Sequence, residues 1–79
     1  MRQAEDFIEF GDRGPGVRKV QELLLRHGAD PNRLEVDGDF GPITRDIVKH
    51  FQASHHLEVD GQVGPNTWKA LRAKTTGDA

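Results

Sequence analysis

The sequence predicts an all-α fold, a three-helix bundle joined by short extended linkers with Asp-Gly turns. Two observations predict it. Three of the four prolines directly follow glycine, at Gly14-Pro15, Gly41-Pro42 and Gly64-Pro65, and each pair precedes a stretch with helical apolar spacing. Proline suits the first helical position, where its missing N–H would go unpaired anyway, and glycine is an acceptable N-cap. The second observation is a repeat. Leu34-Glu35-Val36-Asp37-Gly38 recurs letter for letter 23 places later as Leu57-Glu58-Val59-Asp60-Gly61.

The first helix is expected from Pro15 to Arg26, with Val17, Val20 and Leu24 on one face and Leu23 widening it. Gly28 is its natural stop. The second is expected from Pro42 to Ser54. Its Thr44, Ile47, Val48 and Phe51 fall at i, i+3, i+4 and i+7, the spacing of a buried helical stripe. The third is expected from Pro65 to Lys74, burying Ala70 and Leu71 beside Trp68. Helices this short are unstable alone, so mutual burial must hold all three.

Each repeated linker reads as a short extended piece that points its Leu and Val inward and ends in an Asp-Gly turn. Glycine there accepts positive φ without steric penalty. Phe40 and Val63, two places before the second and third helix prolines, are expected to pack back onto the helices that follow. The domain is read as residues 8–74, with residues 1–7 as an N-terminal extension and 75–79 as a disordered tail.

Composition narrows the function. A chain of 79 residues holds one domain. Eleven basic against thirteen acidic residues give a net charge of −2. This excludes the basic face that nucleic acid requires. No stretch is long and apolar enough to span a membrane, and the first six residues hold no run fit for a secretory signal. Without cysteine, neither disulfide nor thiol chemistry is available.

Chemistry-bearing constellations are absent as well. Asp37, Asp39 and Asp60 lack the further donors and closing glutamate of a calcium loop; Asp37 and Asp60 read instead as turn formers. The spacings of His27, His50, His55 and His56 fit no usual zinc pattern, and these histidines read as solvated. Ser54, the only serine, has no nucleophile elbow around it. Glu35 and Glu58 occupy equivalent places in the repeat, whereas acid–base catalysis needs groups pushed to different pKa values. The chain is therefore read as non-catalytic, with no cofactor and no metal. Leu23 to Asn32 looks like the end of an ankyrin repeat, but a period of 23 residues does not suit that array.

The pattern resembles the peptidoglycan-binding domain that accompanies many wall hydrolases. The match is carried by Gly11, Gly14, Val17, Val20-Gln21, Leu24 and Gly28, then Asp37-Gly38, Phe40-Gly41, Thr44, Val48 and Phe51-Gln52. It continues with Leu57, Asp60-Gly61, Val63-Gly64, Thr67-Trp68 and Leu71, and so runs from about Ile8 to Leu71. The resemblance implies a three-helix module that binds peptidoglycan without cutting it, anchoring a fused or associated hydrolase, or a phage or secretion structure, to the wall. An extracytoplasmic location follows from it. At His56 that family often has glycine or asparagine, so the second helix is expected to end differently from the family pattern. Ile47 replaces a usual alanine and asks for more room.

A ligand site is expected around the first two helix starts, at Arg13, Asp39, Phe40, Ile43, Thr44 and Arg45, all exposed. The arginines and helix N–H groups would capture carboxylates of the wall polymer, and Phe40 and Ile43 would supply apolar contact. Arg13 and Arg45 also read as plain surface arginines pairing with Asp12 or Asp46. Trp68 reads as core rather than as a sugar platform. Two other readings compete with wall binding. One is a protein-interaction or assembly module that keeps the fold. The other is a protease-inhibiting prosegment, which the missing cysteine disfavours.

Overall fold

In the computed structural model, residues 7–73 are described. They form α1 (Pro15–Arg26), α2 (Pro42–Ser54) and α3 (Pro65–Arg72), and no strand is present among them. Each helix has glycine as N-cap and proline at its first position, without a side-chain cap. The Gly-Pro pairs therefore mark all three starts. α3 ends at Arg72, with Ala73 already extended (φ −66°, ψ 153°). The expected last residue, Lys74, lies outside the described residues, as do 75–79 and the first six residues of the N-terminal extension.

α1 and α2 end alike. The Gly28 N–H donates to the Leu25 carbonyl and the Ala29 N–H to that of Leu24. Gly28, at φ 104°, makes the left-handed turn that this paired closure demands. At the end of α2, the His56 N–H donates to Ala53 and the Leu57 N–H to Gln52. His56 itself adopts φ 59°. The expected change of ending at His56 therefore does not occur: histidine takes the conformation that glycine takes in α1, at a steric cost.

α1 packs against both α2 and α3. The core between them holds Val17, Val20, Leu24, Val48, Phe51, Trp68 and Leu71, closed by Leu34, Phe40 and Val63 from the linkers. Ile47 and Ala70 are only partly buried at its edge. Trp68 is core, 3% exposed. The two linkers differ in burial. Leu34 is buried and Val36 half-buried, but Leu57 is half-buried and Val59 half exposed. Identical letters fix the turn; they do not fix what covers it, and the second copy has less of the fold above it.

The N-terminal segment runs antiparallel past both linkers. Ile8 exchanges two hydrogen bonds with Val63, and the Phe40 N–H donates to the Asp12 carbonyl. At the far end of the bundle, His27 Nε2 donates to the Leu71 carbonyl at 2.9 Å, with its ring edge-on to Phe51. His55 stacks on Phe51 at 4.0 Å between centroids and donates from Nδ1 to that residue's carbonyl. His27, half-buried, is thus a structural partner rather than a solvated group, whereas His55 makes its contacts while staying exposed, as His50 and His56 are. No group of three metal-ligating side chains forms among the described residues.

Candidate functional site

Two buried glutamines organise the linkers. Gln21, on the apolar face of α1 and 1% exposed, donates from Nε2 to Asp37 Oδ1, the Asp39 carbonyl and Thr44 Oγ1 at 3.0–3.2 Å. Its Oε1 accepts the Gly38 N–H. Gln52, on α2 and 0% exposed, repeats the arrangement with Asp60 Oδ1, the Gln62 carbonyl and Thr67 Oγ1 at 2.8–3.1 Å. Its Oε1 accepts N–H groups from Asp60 and Gly61. Each Asp-Gly turn is therefore clamped from behind by a side chain with no solvent contact. As expected of turn formers, Asp37 and Asp60 accept the N–H two residues on, from Asp39 and Gln62.

That clamp tunes Asp37. The Asp39 N–H and the Gln21 amide stabilise its charged form and hold its carboxyl below the usual carboxylate range.

In front of the Gln21 clamp lies an open groove of about 200 Å³ at the start of α2. Its apolar surface comes from Leu34, Pro42 and Ile43, the last 45% exposed. Its rim carries Glu35, Asp37 and Asp39 against a single guanidinium, Arg33. Arg13 reaches the same rim from the N-terminal segment, with Nε 3.2 Å from Asp39 Oδ1, while staying largely exposed.

The six residues expected at the ligand site are only partly brought together. Arg13, Asp39 and Ile43 are exposed at or beside this groove. Phe40 is not exposed; at 2% it packs into the core, because the N-terminal segment and the Gln21 clamp turn it inward. Thr44 is not exposed either. At 4% it lines the groove floor with its hydroxyl committed to Gln21. Arg45 does not line the groove. Its guanidinium sits 4.9 Å over the Phe10 ring, and its Nε is buried without a hydrogen-bond partner among the described residues. The expected pairing of Arg13 with Asp12 is replaced by Arg13–Asp39.

Sequence reasoning missed Leu34, Glu35 and Arg33 as groove residues and both glutamines as organisers. A signal for the glutamines existed. Each sits one place after a core residue (Val20, Phe51) on a buried helical face, where a polar group needs partners.

The comparisons with known proteins agree with this architecture. The family described as "Putative peptidoglycan binding domain" matches residues 13–71. Among solved structures, the Burkholderia AP3 phage endolysin superposes with a TM-score of 0.80 at 44% identity, over 86% of this chain and 25% of its own. A peptidoglycan-binding protein from Clostridioides difficile, solved with glutamine hydroxamate, gives 0.80 at 31% identity, over 89% of this chain and 42% of its own. The N-terminal domain of SleB gives 0.77 at 33% identity and is covered over 89% of its length. The chain thus spans less than half of the first two proteins. No curated protein matches it. No helix of the described residues is long and apolar enough to cross a membrane. With the paired Asp-Gly turns, the Gly-Pro helix starts and a profile match over most of its length, the chain belongs to the peptidoglycan-binding domain family.

Proposed function

We propose that this domain binds the stem peptide of bacterial peptidoglycan without cleaving it, in the groove at the start of α2, and thereby holds a partner domain or assembly at the cell wall. The observation that carries the reading is the groove itself. It is an open apolar trough with a rigid, clamped floor and charged rims of both signs, in a chain of a wall-binding family.

The rim charges refine the chemistry. Three carboxylates face one arginine in the groove, and Arg13 is already matched to Asp39. A purely anionic ligand would be repelled there, so capture of carboxylates by arginine alone gives way to a two-signed match. The ligand group is a diamino residue of the stem peptide. Its ammonium meets Glu35 and Asp37, its carboxylate meets Arg33, and its methylenes lie on Leu34 and Ile43. Electrostatic complementarity of this kind selects among ligands more than it adds affinity. The groove carboxylates serve as acceptors: Asp37 is bonded by two donors and held ionised, so it is a poor source of protons.

Co-sedimentation with purified insoluble sacculi tests the proposal. The wild-type domain should pellet with them. Ile43→Ala should raise the apparent Kd about five- to tenfold, the equivalent of losing ~1 kcal/mol of apolar contact. Arg45→Ala, away from the groove, should pellet like wild type. Protein left wholly in the supernatant, with a stoichiometric protein partner found instead, would move the domain to the assembly-module reading.

A further inference from the structure

The internal repeat has copied the groove as well as the turn. A second groove of about 160 Å³ opens at the start of α3. Leu57, Glu58, Asp60, Gly64, Pro65 and Thr67 line it, and each stands 23 places after a residue of the same type that lines or floors the first. The floors match too, since Gln52 bonds its turn and threonine as Gln21 does. Even the tie to the N-terminal segment recurs. Gln62 donates to Glu9 at 2.9 Å, where its counterpart Asp39 pairs with Arg13.

Two lining positions differ in kind. Asp39 has become Gln62, and the apolar Ile43 has become Asn66. The lost apolar surface is supplied from elsewhere. The ring of Phe7 lies along the groove against Gly64, so close that a Cβ there would come within 2.6 Å of it. At the corresponding Gly41 a Cβ would meet open space. The Phe7 ring is nonetheless 61% exposed, an aromatic wall that leaves the trough open beside it.

We infer that the α3 groove is a second binding site for the same class of ligand, an amine-bearing stem peptide, with Phe7 in the role that Ile43 plays in the first. This rests on the proposed function of the first groove. The second groove has carboxylates at Glu58 and Asp60 for an ammonium but no lining arginine. It is therefore the weaker site and prefers ligands whose carboxylate is amidated. Two sites on one rigid domain make wall attachment bivalent. A second contact to a polymer that repeats its own stem peptides then gains from high effective concentration.

The test is an amide-resolved NMR titration with a soluble disaccharide–tetrapeptide, alongside equilibrium dialysis for stoichiometry. The expected result is two ligands per chain and two separately saturating sets of shifts, Gly41 and Ile43 first, Gly64 and Asn66 later. Phe7→Ala, and independently Glu58→Gln, should abolish the second set and leave the first. On sacculi, either variant should weaken retention about tenfold or more through lost avidity. One ligand per chain with only the first set moving would overturn the inference and leave the first groove's role intact. A second set that appears only in Phe7→Ala would also overturn it, by making the ring a plug rather than a wall. No shift at either groove would remove both proposals.

Discussion

Gln52→Leu should be among the most damaging conservative-volume changes in the domain. The side chain is 0% exposed and makes five hydrogen bonds, three from Nε2 and two to Oε1. Leucine would leave all five partners behind. Asp60 is exposed and Gln62 half-buried, so their groups regain water. The Gly61 N–H and the Thr67 hydroxyl are buried and do not. Two stranded polar groups at roughly 1–3 kcal/mol each, less some gain from the apolar replacement, give a loss of about 3 kcal/mol. For a chain of this size, total stability is on the order of 4–12 kcal/mol. Far-ultraviolet circular dichroism on heating should then show Tm lowered by about 12–24 °C. Gln21→Leu should fall by a similar amount, and Asn66→Ala, exposed at the surface, by little. A drop of less than about 5 °C for Gln52→Leu would show that water reaches the clamp, and the account of a dry polar scaffold would fail.

Other expectations follow from single features. His56→Gly should raise stability by about 0.5–1 kcal/mol, since glycine relieves the left-handed strain but loses more chain entropy on folding; calorimetry would register this as a higher Tm, and an unchanged value would mean that His56 is unstrained. The Asp37 carboxyl is held below its ordinary value of 3.8, so the stability it confers is present above that value and lost as pH falls through the lower folded pKa. Asp37→Asn should flatten this acid limb of a stability–pH curve, and an unaltered limb would assign it to other groups. Arg13→Ala should change stability by less than about 0.5 kcal/mol, because its ion pair is exposed on both sides; a larger effect in denaturant titration would mean that the pair organises the N-terminal segment.

The helix starts were legible because they depend on local chemistry alone: glycine, then proline, then a periodic apolar stripe. The ends of α1 and α2 were legible for the same reason, although His56 disguised the second. What the sequence obscured was non-local. Phe40 could be read both as a plug and as a ligand contact, and only the segment crossing it from Asp12 assigns it to the core. Arg45 stood beside a helix start in sequence, yet the first turn of α2 carries it round to Phe10 and away from the groove. The groove itself needed Arg33 and Glu35, on a linker whose repeat partners show different burial at Leu57 and Val59. Patterning reveals which residues recur, and tertiary packing decides what each copy faces.

Because both turns are gripped from the rear by an amide on a neighbouring helix, the outward-facing positions other than Asp37 and Asp60 take little part in holding the turns in shape. Exposed residues such as Glu35, Ile43 and Asn66 can therefore be exchanged without unmaking the turns behind them. The outer skin can be rewritten while the chassis underneath stays as it is.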